Sequence, residues 1–144
     1  MPEAQPEGAV RPDAGDVVIR RATARDAAAV AALAARTFAE TFGADTRPED
    51  MAAHLATAYG VPQQTAEIAS ADSVTLVGHV GGVLAAFAQV RRKELPAGVA
   101  GHAPIEIQRF YVDRRWHGQG VAAPLMDACL AATRGLGGQA VWLS

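Results

Sequence analysis

The spacing of apolar residues changes rhythm several times along this chain. Val17-Val18-Ile19-Arg20 is a short β-branched run and reads as a strand. Val30, Leu33, Ala34, Phe38 and Phe42 then recur at helical spacing. Thr23-Ala24-Arg25-Asp26 in front of them has the form of a capping box, and Gly43 suits the stop. A second helix is expected to bury Met51, Leu55 and Ala58 and to end near Gly60, with Thr46 and Glu49 as its capping box and Pro48 in its first turn. A shorter helix covers residues 63–69. From residue 74 the period falls to that of strands. Residues 74–80 and 83–90 form a hairpin across Gly81-Gly82, a pair suited to positive φ. Residues 91–103 are polar, contain Gly and Pro, and read as a loop. Ile105-Glu106-Ile107-Gln108-Arg109-Phe110-Tyr111-Val112 is the clearest strand. A helix follows with Val121, Leu125, Met126, Cys129 and Leu130 on one face, ended by Gly135 and Gly137-Gly138, and residues 140–143 begin a last strand. The order is β-α-α-(α)-β-β-β-α-β, an α/β domain of the α+β kind with an antiparallel first part and a β-α-β crossover at its end. Residues 1–16, rich in Pro, Gly and Asp, are expected to be a disordered leader, which leaves 17–144 as the domain.

The segment between the clearest strand and the last helix reads YVDRRWHGQGVAAPLM over residues 111–126. Gly118, Gly120, Ala122 and Ala123 are small, and a helix starts at once. Its first N–H groups have no acceptor within the helix and carry the positive end of its dipole. Small side chains let an anion approach those donors, so the geometry suits a phosphate or pyrophosphate. A Walker loop would end in Gly-Lys-Ser/Thr, and a dinucleotide fingerprint would have a further Gly within a β-α-β unit near the N-terminus; neither is present.

Composition narrows the classes. The 144 residues are half hydrophobic and 19% charged, which suits one globular domain. A net charge of −2 gives no reason to expect a nucleic-acid partner. The single cysteine, Cys129, excludes an internal disulfide and fits a reducing compartment. No apolar run approaches the roughly 20 residues that span a bilayer, and the N-terminus has no signal-peptide core. A cytoplasmic protein without a membrane is expected.

With those residues in view, the chain resembles the GNAT N-acetyltransferase superfamily. The superfamily's pyrophosphate loop, Q/R-x-x-G-x-G/A between the fourth strand and a helix, is matched by His117-Gly118-Gln119-Gly120-Val121-Ala122, followed by Leu125-Met126. Phe110-Tyr111-Val112 is similar to the end of the family's fourth strand. The run IEIQRFYV, the pairs Thr37-Phe38 and Thr41-Phe42, and the ending VWL are similar to bacterial polyamine acetyltransferases of the PaiA type. Two departures stand out. His117 replaces the usual Gln or Arg, and the family normally continues beyond the equivalent of Ser144 with a helix and two strands, including an Asn and a Tyr near the cofactor. The resemblance therefore implies an acyl-CoA N-acyltransferase fold, β-α-α-β-β-β-α-β, with a mixed sheet lacking those C-terminal elements.

The resemblance also implies acetyl transfer from acetyl-CoA, without a metal, to a primary amine of a small molecule, a polyamine being its narrowest form. A homodimer is common in the family. Expected cofactor contacts are Phe110, Tyr111, Val112, His117, Gly118, Gln119, Gly120, Val121, Ala122 and Ala123. An alkylammonium has a pKa of about 10.4, so the acceptor amine gains from a base. Glu106, eleven residues before His117, occupies the strand position of the family's base. Strand alternation places Glu106, Gln108, Phe110 and Val112 on one face and Ile105, Ile107, Arg109 and Tyr111 on the other. Glu106 reads equally as a solvated or Arg-paired carboxylate. An acyl-CoA-binding module without turnover, or an inactive fragment, is the competing functional class; an ATP- or NAD-binding domain using the same loop is a third.

Other residues have plainer readings. His54, His79 and His102 lack metal-ligand spacing. Cys129 sits on the apolar helix face, and Trp116 and Trp142 are expected to pack. His117 either meets a phosphate or caps the helix. Arg91-Arg92-Lys93 reads as a solvated strand end, and it and Arg114-Arg115 are candidates for the 3′-phosphate of CoA. Glu40, Asp45, Glu49 and Asp50 line an approach for a cation or are helix-terminus charges.

Overall fold

The computed structural model describes residues 17–92, 105–136 and 141–143. The expected leader, Lys93, His102 and Gly137-Gly138 lie outside them, and of Ala58 and Trp142 only the backbone is described. The elements are β1 (Val17–Arg21), α1 (Ala27–Phe42), α2 (Pro48–Ala58), α3 (Val61–Ala69), β2 (Ser73–Val80), β3 (Val83–Arg92), β4 (Ile105–Val112), α4 (Ala122–Gly135) and β5 (Val141–Leu143). The strands form one sheet in sequence order. The first four are mutually antiparallel, and β5 lies parallel to β4, as the β-α-β crossover requires.

The sheet separates two cores. On one face Val30, Leu33 and Ala34 of α1 pack with Tyr59, Val77 and Phe87, joined by Phe38, Leu55, Leu84 and Tyr111. On the other, Val121 at the entrance to α4 and Leu125 and Cys129 within it pack with Leu76, Ala88, Val90, Ile105 and Ile107, joined by Phe110 and Val112. Leu130, expected on the buried face of α4, points outward, and Thr133 takes the inward place with its hydroxyl donating to the Cys129 carbonyl at 2.9 Å. Gly81 and Gly82 adopt φ of 57° and 81°, as the expected two-residue turn demands.

The start of α1 follows the expected cap. The Asp26 carboxylate accepts from the Thr23 N–H at 2.7 Å, and Arg20 grips it with both terminal nitrogens at 2.8 and 2.7 Å. The Arg20 hydrogen bond, helped by Thr23 and opposed by partial burial, holds the carboxyl down at about 2. A depressed folded pKa stabilises above the unfolded value of about 3.9, and the contribution is lost as pH falls toward 2. An Asp26→Asn chain should therefore melt below the parent at pH 6. That gap should shrink as pH is lowered from 5 to 2, as followed by thermal melts across the range.

The start of α2 differs from the expected Thr46–Glu49 box. Arg47 is the capping position, with φ −63° and ψ 142°, and no side chain caps the helix. Pro48 explains this: its ring pushes the preceding residue out of the helical region, so the helix cannot begin before Pro48 itself. Glu49 and Asp50 sit in the first turn and pair with Arg47, which is the helix-terminus reading. The third helix begins at Val61, two residues before its expected start.

The largest departures concern β3 and β4. β3 continues through Arg91 and Arg92, which had read as loop, because they pair with Glu106 and Ile105. Gln89 stands opposite Arg109 while Val90 stands opposite Ile107, so Gln108 is an extra residue in β4. This bulge breaks the expected alternation. Ile105 and Ile107 face α4, and so do Phe110 and Val112 beyond the bulge. Glu106 shares the opposite face with Arg109 and Tyr111 instead.

Candidate functional site

Beyond Val112 the chain turns through Asp113 and a short 3₁₀ turn, Arg114–Trp116, into the glycine loop. Asp113 is buried and ties this turn down. It accepts from the Arg115 N–H at 3.0 Å, from the Arg115 guanidinium at 3.2 Å and from Arg36 of α1 at 2.6 Å. Burial works against its charge, but Arg115 and Arg36 outweigh that and hold the carboxyl below the ordinary range. Its own N–H donates to the Ala85 carbonyl of β3 at 2.7 Å. The loop is thus anchored to α1 and to the sheet at once.

Gly118 and Gly120 have φ of 75° and 81°, in the left-handed region that costs other residues roughly 1 to 2 kcal/mol. That explains two glycines in three positions without reference to any ligand. The first turn of α4 then leaves the N–H groups of Ala122 and Ala123 without helix acceptors, and Pro124 has no N–H to offer. A cleft of about 440 Å³ opens here, lined by Phe110 and Val112 of β4 and by Trp116, His117, Gly118, Gly120, Val121, Ala122 and Ala123. Eight of the ten residues expected from the sequence line it. The exceptions are Gln119 and Tyr111, whose ring lies in the core on the opposite face of the sheet. Trp116, expected only to pack, lines the cleft too. Its indole N–H is the one buried side-chain polar atom with no hydrogen-bond partner among the described residues. The His117 ring folds back, its Nε2 at 2.8 Å from the Val112 carbonyl, and so bridges the strand end to the loop.

Among the described residues, β4 is paired on both sides only at its start. Residues 105–107 bond β5, while the outer edge of residues 108–112 has no strand partner among the described residues. The bulge at Gln108 follows directly on the Ile107–Leu143 pair.

On the other face of β4, Glu106 is 3% exposed and accepts from Arg91 Nε at 2.7 Å. A buried carboxylate in an apolar strand needs such a counter-charge, so the Arg-paired reading of Glu106 describes its surroundings. The pairing is cross-strand, Arg91 standing opposite Glu106 in the ladder. Next to it runs a polar network that the sequence reading missed. Arg109 donates to Glu67 of α3 and to Gln89, and its guanidinium stacks on the Tyr59 ring at 4.9 Å. Gln89 in turn donates to Gln64 at 3.0 Å and to Thr75 at 3.2 Å, all three buried. The one visible signal was Gln89 itself, a lone amide in the apolar run AAFAQV.

Tyr59 and Tyr111 complete this face with hydroxyls 3.1 Å apart. Burial first, and the Tyr59 bond second, push the Tyr111 phenol up to about 12, so it stays protonated at neutral pH. Tyr59→Phe removes one partner of that bond. A loss of about 1 kcal/mol is expected by denaturant unfolding.

The remaining candidates take their plain readings. Burial pushes the Cys129 thiol up to about 11, far from a reactive thiolate. His54 sits among Phe38 and Tyr59, and His79 is half-buried in β2. Glu40 lines a cavity with Arg36, Asp113, Arg114 and Arg115 beside the cleft, whereas Asp45 lies in the turn after α1. Among the described residues no helix is long and apolar enough to cross a membrane.

Comparison with known proteins agrees with the fold. No curated protein matches the sequence. Solved structures share the fold at low identity. PaiA N-acetyltransferase from Thermoplasma acidophilum, in complex with coenzyme A, is 15% identical with a TM-score of 0.69, covering 84% of this chain and 74% of that one. A GCN5-related N-acetyltransferase from Ralstonia eutropha JMP134 is 19% identical with a TM-score of 0.72, covering 89% and 82%. Ribosomal-protein-alanine N-acetyltransferase from Brucella melitensis biovar Abortus 2308 is 20% identical with a TM-score of 0.62, covering 89% and 79%. The family model described as the acetyltransferase (GNAT) family matches residues 28–144, and the chain belongs to that family.

Proposed function

We propose that the protein binds acetyl-CoA in the cleft at the end of β4 and transfers the acetyl group to a primary amine of a small molecule. One observation carries the reading: two left-handed glycines and an open helix start converge on the end of β4. The N–H groups of Ala122 and Ala123 receive the pyrophosphate, and Gly118 and Gly120 let it approach. Phe110 and Val112 face the ligand, while Tyr111 contributes main chain only. Trp116 and His117 wall the cleft. The pantetheine arm runs along the outer edge of residues 110–112.

Glu106 is the proposed base. The amine nitrogen attacks the thioester carbonyl carbon, its proton passing through water to Glu106. The C–N bond forms, a main-chain N–H in residues 110–112 holds the oxyanion, and the C–S bond breaks to release the thiolate. The likeness of Ile105–Val112 to PaiA-type enzymes suggests a polyamine acceptor. A second reading, an acyl-CoA-binding module without turnover, is favoured by the burial and pairing of Glu106.

An amine panel with acetyl-CoA, read by release of free thiol, separates the two. Thiol release that depends on an amine supports the transferase. Coenzyme A binding without amine-dependent release supports the module.

A further inference from the structure

A second cavity, of about 370 Å³, lies on the Glu106 side of the sheet, between α3 and the strands β2, β3 and β4. Among the described residues its lining charges are Arg91, Arg92, Arg109, Glu67 and Asp72, and Glu106 stands behind Arg91 as its counter-charge. It reaches the bulge, because Gln108 and Arg109 line it, and Phe110 of the cofactor cleft is the next residue. One strand separates the two cavities, and that strand's outer edge has no ladder partner from residue 108 onward among the described residues.

The committed partners of these charges show what the cavity can still recognise. Glu67 is held through both oxygens, by Arg109 on one and by Gln63 at 2.6 Å on the other. Asp72 accepts from Arg92 at 2.9 Å, and Arg92 also donates to the Leu136 carbonyl at 2.7 Å. Arg109 is fixed by Glu67, Gln89 and the Tyr59 ring. Arg91 is different. Its Nε is spent on Glu106, its side chain is 43% exposed, and neither terminal nitrogen has a hydrogen bond among the described residues. It presents half of a planar fork to the cavity, the shape that takes a carboxylate.

A polyamine would bring a second ammonium into a cavity whose carboxylates, among the described residues, are already paired. An amine whose other end is a carboxylate would meet Arg91 instead. We propose that this cavity is the acceptor pocket and that its acceptor is a primary amine carrying a carboxylate, anchored by Arg91. The inference rests on the acetyl-transfer reading and replaces the polyamine within it. Arg91 then has two roles: it balances Glu106 through Nε and positions the acceptor through its terminal nitrogens.

The test is a calorimetric titration of the full chain with amino acids in which two to five atoms separate amine and carboxylate. Each amino acid is compared with its methyl ester and with the diamine of matching length, with coenzyme A present and absent. At least one amino acid should bind ten or more times more tightly than its ester and its diamine. Arg91→Gln should erase that preference, and Arg91→Lys should restore part of it. A loss of one charge-assisted contact corresponds to about a tenfold change or more. Equal or tighter binding of the diamine or the ester overturns the proposal, as does no binding of any of the three. The wild-type comparison decides by itself if the variant does not fold. Coenzyme A binding, measured in the same cell, reports separately on the cofactor reading, which survives if only the amino-acid preference fails.

Discussion

Glu106→Gln should lower kcat for amine acetylation by roughly 10² to 10⁴, the range for loss of a general base, while coenzyme A affinity stays within twofold. Glutamine keeps the shape of the side chain and can still accept from Arg91 Nε, so the ladder between Arg91 and Glu106 should persist. Arg91 is substantially exposed, and water can solvate the charge that the substitution unpairs. The drop in Tm should therefore be small beside the drop in rate. Raising pH neutralises more of the acceptor amine without help, so the defect should narrow as pH climbs toward the amine's own pKa of about 10.4. An unchanged kcat would contradict the role of Glu106 as base and reduce it to the partner of Arg91.

Gly120→Val should abolish useful coenzyme A binding, weakening it by about 10²-fold or more. The residue sits at φ 81°, where a β-branched side chain is a strained outlier. Two responses are open to the chain. It can hold the loop and accept roughly 1 to 3 kcal/mol of strain. Alternatively it can relax the loop and swing the donors of Ala122 and Ala123 away from the pyrophosphate, each charge-assisted bond being worth about 1.5 to 3 kcal/mol. The new side chain also enters the cleft that Gly120 lines. Calorimetry with coenzyme A and a thermal melt, run together, would show a large change in Kd with a modest change in Tm. Gly118→Val, at φ 75° in the same loop, should behave alike.

Much of this was legible in the sequence, for reasons that differ by residue. The strand at Ile105–Val112, the hairpin glycines and the two left-handed loop glycines each answer a local backbone requirement, and local requirements leave a mark in local sequence. The Thr46–Glu49 pattern predicts a cap one residue before the observed one, because Pro48 holds Arg47 outside the helical region. The bulge at Gln108 left no such mark. It arises where β4 must pair with Gln89 and Val90 of β3 at once, a non-local fact, and it moved Glu106 from the face of Phe110 to the face of Arg109. Trp116 entered the cleft for a similar reason: Asp113, held by Arg36 from 77 residues away, sets the turn that aims it. The network of Gln64, Gln89, Thr75 and Arg109 joins α3 to three strands. Only Gln89 hinted at it beforehand.

The central claim is that the cleft at the end of β4 recognises the pyrophosphate of coenzyme A through the start of α4. Its most direct measurement is a calorimetric comparison of coenzyme A with pantetheine, which keeps the arm and the thiol but lacks the pyrophosphate. The claim predicts that coenzyme A binds and that pantetheine binds at least tenfold more weakly. Equal affinities, or no coenzyme A binding at all, would contradict it.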